Sequence, residues 1–178
     1  MKVEAHRVAL VTGGAGGMGR AMALALARSG MTTVAFDKRF GPEWEKSEEV
    51  LSDQVLWTAP LDISVEEQCR TAVQETVERL GRVDILVNCA GVSMAPACPP
   101  GQLRIPFQQA DLDGYLRILK INLIGTVALS HHALAAMLVN SWGRIVNITT
   151  SFDTMLAPDL SAYGASKAAL GVSSFSVQ

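Results

Sequence analysis

The segment Tyr163-Gly164-Ala165-Ser166-Lys167 places a phenol and an ammonium group four residues apart. On a helix, positions four apart lie on the same face, so the lysine side chain would lie beside the tyrosine ring. A free phenol has a pKa of about 10 and is a poor base at neutral pH, but a nearby positive charge favours the phenolate. Tyr163 could then exchange a proton with an alcohol or a ketone. Because surface pairs with this spacing are common, its meaning depends on the elements around it.

A glycine-rich turn near the N-terminus is the second candidate site. The preceding run from Val8 to Val11 predicts a buried strand, and the alanine-rich run from Arg20 to Arg28 has helical length. Glycines let the backbone bend sharply and let an anion approach its N–H groups, while the next helix contributes a positive dipole end. The turn therefore predicts a dinucleotide pyrophosphate site, with a plain tight turn as the alternative. The expected cofactor contacts here are Gly13, Ala15, Gly16, Gly17, Met18 and Gly19.

Asp37 directly follows the second predicted strand, Thr32 to Phe36. A carboxylate at this place can accept hydrogen bonds from both hydroxyls of an adenosine ribose, and it would repel a 2′-phosphate. This favours NAD over NADP, unless Asp37 is only a solvated loop residue. Lys38 and Arg39 follow and could neutralise a 2′-phosphate, and Lys38 is a further expected cofactor contact.

The alternation of apolar runs and helical segments predicts the scaffold that carries these residues. It is typical of an α/β fold, a doubly wound parallel sheet with helices on both faces, in one domain over residues 1–178. The predicted strands are residues 8–11, 32–36, 55–59, 84–87 and 144–149, and the predicted helices are residues 20–28, 42–51, 64–80, 114–139 and from 161 onward. In this order Tyr163 opens the helix after the fifth strand.

Local signals set the limits of the two long helices and of one loop. Ser64-Val65-Glu66-Glu67 predicts a capping box, and the expected N-cap of the other long helix, which starts at residue 112 or 114, is Asp111 or Asp113. The predicted buried face of the first helix contains Val65, Cys69, Ala72, Val73, Thr76 and Leu80. Prolines forbid a continuous helix or a central strand over residues 92–110, so this stretch is predicted to be a loop that shapes a ligand pocket. Asp84 is expected to be a turn residue.

Composition and charge restrict the class of protein. A net charge of -2 with 18% charged residues indicates neither disorder nor a nucleic-acid surface. Three cysteines without C-x-x-C spacing, and a start without an apolar signal segment, predict a reducing, cytoplasmic location. The apolar run from Leu123 to Val139 is shorter than the roughly 20 residues of a membrane span, so a buried helix and no membrane contact are expected. His131 and His132 lack metal-site spacing and nearby carboxylates, and no metal site is predicted.

Together these features resemble the short-chain dehydrogenase/reductase family over nearly the whole chain. The resemblance rests on Thr12-Gly13-x-x-x-Gly17-x-Gly19, on Tyr163-x-x-x-Lys167, and on Asn88-Cys89-Ala90-Gly91, in which Cys89 replaces a second asparagine of the family. It implies a Rossmann-type sheet with strand order 3-2-1-4-5, Tyr163 as acid and base, and Lys167 also holding the nicotinamide ribose. Asn122 would help to hold a proton-relay water. Further cofactor contacts implied by the resemblance are Asp62, Ile63, Asn88, Ala90 and Gly91, with NAD expected and NADP less favoured.

One catalytic position departs from the family pattern. The family usually has a serine where this chain has Thr150, and Ser151 is the next residue. Either hydroxyl could donate a hydrogen bond to the substrate oxygen and stabilise charge that develops there. The ungapped register favours Thr150, and a slip by one residue would bring in Ser151, so both stay candidates.

The family pattern continues beyond Gln178, the last residue of this sequence. Family members add two strands and a substrate-covering segment, so strand five is expected to be an open edge here. Two functions follow: an NAD(H)-dependent oxidoreductase that interconverts a secondary alcohol and a ketone, or a truncated, catalytically inactive NAD-binding module. An S-adenosylmethionine methyltransferase shares the glycine turn but gives no reason for Tyr163 and Lys167. The resemblance also implies a homodimer or homotetramer formed through the helices at 114–139 and from 161.

Overall fold

Five parallel strands form one sheet in the computed structural model, which describes residues 7–41 and 56–172. The strands are β1 (Val8–Thr12), β2 (Thr32–Asp37), β3 (Leu56–Pro60), β4 (Ile85–Asn88) and β5 (Arg144–Asn147). They lie in the order β3-β2-β1-β4-β5, which confirms the predicted Rossmann-type topology. The direction of winding reverses between β1 and β4, and such a reversal opens a crevice at the carboxyl ends of the strands.

Helices cover both faces of this sheet. They are α1 (Gly17–Arg28), α2 (Glu66–Leu80), α3 (Leu112–Val139), α4 (Phe152–Met155) and α5 (Ser161–Val172). Within α3, a π-helical turn at Lys120–Gly125 separates Leu112–Leu119 from Thr126–Val139. The predicted helix over residues 42–51 and the start of the predicted third strand at Val55 lie outside the described residues.

The central strands of the sheet are buried because successive side chains of a strand point to opposite faces, and each face packs against helices. Leu10 belongs to a cluster with Val73 of α2 and Leu129 of α3. Its neighbour Val11 belongs to a second cluster with Ala23 of α1. All five residues of β1 are buried, so this strand is the centre of the domain.

Two predicted helix starts are wrong. Helix α1 begins at Gly17 rather than after Gly19, so two of the glycines lie in its first turn. Helix α2 begins at Glu66 with Val65 as N-cap and without a side-chain cap. The predicted capping box fails because the Ser64 hydroxyl donates to Asp62 Oδ1 at 2.7 Å instead. Val65 is 39% exposed and is therefore not part of the buried face.

Helix α3 runs from Leu112 to Val139, which agrees with one of the two predicted starts and with the predicted end. Asp111 is its N-cap and accepts a hydrogen bond from the Gly114 N–H at 2.8 Å, as expected. By length and composition alone, the 28 residues of α3 could cross a membrane, a test that core helices of soluble proteins also pass. Here Ile118, Leu129 and Met137 are fully buried in the domain. One side of α3 is therefore buried in the domain, while Leu116 and Ile124 on the same helix are exposed.

Asp84 is more than a turn residue, which corrects the sequence-based expectation. Its side chain is fully buried, accepts a hydrogen bond from the Val8 N–H at 2.8 Å and forms an ion pair with Arg82 at 2.6 Å. Its backbone N–H donates to the Val8 carbonyl at 2.9 Å, and its carbonyl accepts from the Arg144 N–H at 2.9 Å. Asp84 therefore joins β1, β4 and β5 where these strands begin.

Strand β5 pairs with β4, and its other side is an edge of the described sheet. The side chain of Val146 on this strand is 46% exposed. The expectation of an open edge therefore agrees with the part of the chain that the structure describes.

We expect Asp84→Ala to lower the free energy of unfolding by about 2–3 kcal/mol, because it removes a charged acceptor and leaves a buried N–H of Val8 unpaired. Asp84→Asn keeps an oxygen that can accept from Val8, and about half of that loss is expected. Urea unfolding followed by circular dichroism measures both variants. Equal losses for the two would show that the hydrogen bond to Val8 is not the source of the effect.

Candidate active site

A cleft of about 630 Å³ lies at the carboxyl ends of the strands. Its walls come from the glycine turn, the ends of β2 and β3, the segment after β4, the end of β5 and helix α5. The structure brings together in this lining the predicted residues Gly13, Gly16, Gly17, Met18, Gly19, Asp37, Lys38, Asp62, Ile63, Ala90, Gly91, Thr150, Tyr163 and Lys167. Four predicted site residues, Ala15, Asn88, Asn122 and Ser151, are not part of the lining.

The glycine turn approaches the segment after β4 very closely. Gly13 has a φ of +71°, and a Cβ on it would lie 2.9 Å from the Cα and N of Ala90. The Thr12 hydroxyl accepts hydrogen bonds from the N–H groups of Cys89 and Ala90, both at 3.1 Å. The sequence did not identify Thr12 as a positioning residue, although it directly precedes the glycines.

The start of α1 at the cleft suits an anion. Gly16 is the N-cap, forms no side-chain capping bond, and no acidic residue lies in the first turn of this 12-residue helix. The first N–H groups of a helix have no partner within the helix and attract negative charge. A Cβ at Gly17 would meet no protein atom within 4 Å, so the cleft is open beside it. These features fit the pyrophosphate of a dinucleotide.

Asp37 holds the glycine turn against the end of β2. Its Oδ2 accepts a hydrogen bond from the Ala15 N–H at 3.0 Å, and its Oδ1 accepts one from the Lys38 N–H at 2.7 Å. A carboxylate has about four lone-pair sites, so Asp37 keeps acceptor capacity for a ligand hydroxyl in the cleft. Ala15 therefore acts through Asp37 rather than as part of the lining.

Lys38 extends to the end of the next strand. Its Nζ lies 2.7 Å from Oδ2 of Asp62. Burial alone would raise the pKa of Asp62. Hydrogen bonds from Lys38 and Ser64 and attraction to the Lys38 charge lower it by more, so the pKa is below its ordinary value. The sequence identified both residues and gave no sign of this ion pair, because they belong to different strand ends.

Tyr163 and Lys167 lie on one face of α5 and both line the cleft. The Lys167 Nζ lies 6.0 Å from the centre of the Tyr163 ring and donates a hydrogen bond to the Ile148 carbonyl at 2.7 Å. Lys167 is only 5% exposed. Burial lowers the pKa of its ammonium group, and a smaller effect of Cys89 opposes this.

The two hydroxyl candidates occupy different surroundings. Thr150 lines the cleft with Tyr163. Ser151 is the N-cap of α4, accepts a hydrogen bond from the Thr154 N–H at 3.3 Å and shares a second with the Thr154 hydroxyl at 2.9 Å. The Ser151 side chain is therefore engaged in starting a short helix.

Asn122 lies in the π-helical turn of α3 and is fully buried. Its Oδ1 accepts from the Val92 N–H at 2.8 Å, and its amide donates to the Val92 carbonyl at 2.9 Å and to the Ser166 hydroxyl at 3.0 Å. These bonds connect the segment after β4 with α5, next to Lys167. The arrangement makes Asn122 a positioning residue behind the cleft.

Asn88 has a comparable place behind the lining. Its amide donates to the Ser130 hydroxyl at 3.0 Å and to Asn147 Oδ1 at 2.9 Å. Asn88 thereby links β4 to α3 and to β5 and contacts protein rather than open cleft.

The segment from residue 92 to 110 packs against α3 and α5 and forms one side of the cleft. It contains two short 3-10 turns, Ala95–Ala97 and Phe107–Gln109. Met94 and Ile105 are buried in a separate small core with Ile118 of α3 and Ala162 of α5. Val92 and Ser93 of this segment line the cleft, as predicted for a pocket-shaping stretch. Sequence reasoning missed six other lining residues, of which Ile121 lies in the π-helical turn of α3 and the rest adjoin strand ends: Phe36, Leu61, Cys89, Ile121, Ile148 and Thr149.

His131 and His132 follow one another on α3. Over residues 7–41 and 56–172, no cluster of three or more His, Cys, Asp or Glu side chains is placed to hold a metal. The prediction that no carboxylate lies near these histidines was wrong, because His132 Nε2 lies 2.7 Å from Glu66 Oε1 on α2. This contact joins α3 to α2, far apart in sequence.

Comparison with known proteins agrees with this architecture. The profile of the short chain dehydrogenase family matches residues 7–176. The chain is 33% identical over 168 residues to 11-beta-hydroxysteroid dehydrogenase A of Sesamum indicum, covering 93% of this chain and 46% of that protein. It is 34% identical over 173 residues to 3-hydroxyacyl-CoA dehydrogenase type-2 of Drosophila melanogaster, covering 93% of this chain and 65% of that protein.

A solved structure gives the same result in three dimensions. The crystal structure of an NAD+-bound xylitol dehydrogenase superimposes with a TM-score of 0.78 at 30% identity, covering 93% of this chain and 61% of that one. The chain thus spans between 46% and 65% of the lengths of these three proteins.

Gly17→Ala tests whether the start of α1 binds the ligand. We expect the variant to bind NADH about tenfold more weakly while its unfolding midpoint is unchanged or raised, because the added methyl group stands in the cleft and alanine favours a helix. Fluorescence titration and urea unfolding measure the two quantities. The matched control is Gly171→Ala in α5, where a Cβ also meets no protein atom within 4 Å, outside the cleft lining. Equal NADH affinity in both variants would contradict the assignment.

Proposed function

The chain belongs to the short-chain dehydrogenase/reductase family, and we propose that it is an NAD(H)-dependent oxidoreductase that interconverts a secondary alcohol and a ketone. The observation that carries this proposal is one cleft lined by Tyr163, Lys167, Asp37 and the glycine turn. A proton-exchanging phenol and an anion-binding turn in the same crevice are the two parts that such a reaction needs.

The proposed cofactor is NAD(H), with NADP(H) less favoured. The first turn of α1 would hold the pyrophosphate, Asp37 the adenosine ribose, and Lys167 the nicotinamide ribose. When bound, NAD(H) supplies or accepts the electron pair and the hydrogen of the redox step. The negative charge of Asp37 at the ribose position supports the choice of NAD, because it would repel a 2′-phosphate.

In the proposed mechanism Tyr163 gives a proton to the carbonyl oxygen in one direction and takes it from the alcohol in the other. Lys167 lies on the same face of α5, with its Nζ 6.0 Å from the centre of the Tyr163 ring. The Ile148 carbonyl, 2.7 Å from Lys167 Nζ, keeps the ammonium group in place. The Thr150 hydroxyl donates a hydrogen bond to the substrate oxygen and stabilises the charge that develops there.

The lining residues that follow β4 and β5 are neutral. Val92, Ser93, Thr149 and Thr150 lie there, and Lys167 is the charged side chain of this part of the described lining. The relatives named above carry the names of enzymes for a steroid, an acyl-CoA and xylitol, which do not point to one substrate class. We therefore propose a small alcohol or ketone that carries no charged group next to its reacting carbon.

An inactive NAD-binding module is the second candidate function. It is favoured by the edge of β5 in the described part of the chain, where Val146 is 46% exposed. A module of this kind would bind NADH without turning over a ketone. The two candidates differ in turnover and agree in binding.

The proposed location and subunit assembly of the protein are those expected from the sequence. We propose a cytoplasmic homodimer or homotetramer, without a nucleic-acid or membrane partner, whose subunits meet through α3 and α5. Exposed apolar side chains on α3 support such an interface: Leu112, Leu116, Ile124 and Leu138.

Binding and turnover measured side by side test the proposed function. We expect NADH to bind with a lower Kd than NADPH, and NADH to be oxidised in the presence of at least one member of a ketone panel. Tyr163→Phe is expected to lower kcat by roughly 10²–10⁴-fold, because it removes the proton donor and keeps the ring. NADH fluorescence titration of the same variant should change little.

The outcomes separate the candidates. Binding of NADH without turnover of any ketone would favour the inactive module. Failure of both NADH and NADPH to bind would contradict both candidates.

Alanine substitutions distinguish the two hydroxyls. Thr150→Ala is expected to lower kcat by roughly 10²-fold through loss of a hydrogen bond to the substrate oxygen, and Thr150→Ser should keep most of the activity. Ser151→Ala removes a helix cap and is expected to cost about 1 kcal/mol of stability with a much smaller fall in kcat. Steady-state kinetics and urea unfolding measure these effects. A larger loss of kcat in Ser151→Ala than in Thr150→Ala would reverse the assignment.

A further inference from the structure

The ion pair between Lys38 and Asp62 connects two walls of the cleft. Lys38 follows β2, Asp62 follows β3, and both residues line the cleft beside Asp37. The Lys38 Nζ lies 2.7 Å from Asp62 Oδ2, with side-chain exposures of 57% and 23%. The adenosine end of the cleft is therefore bordered by two carboxylates and the one ammonium group between them.

Asp62 is the fixed member of this pair. Its Oδ1 accepts hydrogen bonds from the Ser64 N–H at 3.0 Å and from the Ser64 hydroxyl at 2.7 Å. Its backbone N–H donates to Gln68 Oε1 at 2.9 Å. Lysine has a long flexible side chain, so Lys38 adopts the position that Asp62 dictates.

The Asp62 carboxylate pairs with the Lys38 ammonium group, which a bound NADP(H) would need as the partner of its 2′-phosphate. A cofactor 2′-phosphate next to the Asp37 position requires a neighbouring cation to neutralise it. Lys38 is the residue adjacent to Asp37, and its ammonium group is already paired. Asp37, Lys38 and Asp62 line the cleft and together carry a formal net charge of minus one, which adds to the repulsion of a phosphate. Arg39, the other cation that follows Asp37, is not part of the described lining.

We propose that Asp62 is a coenzyme-specificity residue. Its carboxylate forms an ion pair with Lys38 and thereby disfavours binding of the 2′-phosphate of NADP(H). Removing its charge releases Lys38 to bind that phosphate. This inference rests on the proposed function, since it concerns the cofactor site of the same cleft. It assigns to Asp62 a task beyond direct contact with the cofactor.

The test is Asp62→Asn, which keeps the size of the side chain and an oxygen that can accept from Ser64. Dissociation constants for NADH and NADPH are measured by nicotinamide fluorescence, and those for 5′-AMP and 2′,5′-ADP by calorimetry. We expect the ratio of the NADPH constant to the NADH constant to fall by about tenfold, and the ratio for 2′,5′-ADP to 5′-AMP to fall likewise. Using ratios removes any effect of Asp62 on the shared adenosine part.

Two variants identify the group that receives the phosphate. The double variant Asp62→Asn/Lys38→Gln is expected to lose the gain, because the released ammonium group is gone. Asp113→Asn removes an exposed carboxylate in the first turn of α3, outside the cleft lining, and is expected to leave both ratios unchanged. Circular dichroism of each variant checks that the fold is retained.

Three results would overturn the inference. The first is an unchanged ratio in Asp62→Asn while NADH still binds, which leaves the proposed function intact. The second is an equal change in Asp113→Asn, which would indicate a general charge effect. The third is a gain that persists in the double variant, which would exclude Lys38 as the receiving group. Absence of nucleotide binding in the unsubstituted protein would instead refute the proposed function itself and this inference with it.

Discussion

The close approach of the Gly13 backbone to that of Ala90 is the constraint on which the rest of the site depends. A Cβ at Gly13 would lie 2.9 Å from two backbone atoms of Ala90. The Thr12 hydroxyl holds the same segment through two N–H groups. This contact closes β1 against β4 at the point where the winding of the sheet reverses, and it sets the width of the crevice there. The start of α1 and the wall that follows β4 take their positions from it.

A layer of buried polar side chains stands behind the cleft and positions the groups that line it. Asn122 links the segment after β4 to α5, and Asn88 links β4 to α3 and β5. A buried amide destabilises the fold unless its hydrogen-bonding groups have partners. These two asparagines therefore favour the one arrangement of the surrounding segments in which their partners are in reach. Lys167 is held in the same way by the carbonyl of Ile148. Residues of this layer act on the chemistry through geometry rather than through contact with a ligand.

Local patterns predicted the strands, most helices and the glycine turn, whereas the strand order and lining residues such as Asp62, Ala90 and Thr150 were implied by the family resemblance. Apolar runs, glycines and helix-length segments specify strands and helices, and the carboxyl ends of parallel strands meet at one edge. Two of the misses involve partners distant in the chain, and a third involves a competing partner only two residues away. Ser64 was expected to cap α2 and instead bonds to Asp62, Asp84 was expected to be a turn residue and instead joins three strands, and His132 meets a carboxylate from another helix. Competition between local and distant hydrogen-bond partners cannot be ranked from spacing alone.

The segment after β4 carries its own small core, which is separate from the two clusters that flank the sheet. Met94 and Ile105 anchor it on Ile118, while Val92 and Ser93 face the cleft. Substitutions at the latter two positions therefore leave the packing of the sheet untouched. Divergence of substrate preference could proceed here by changes in a few side chains, with the cofactor half of the fold inherited without alteration.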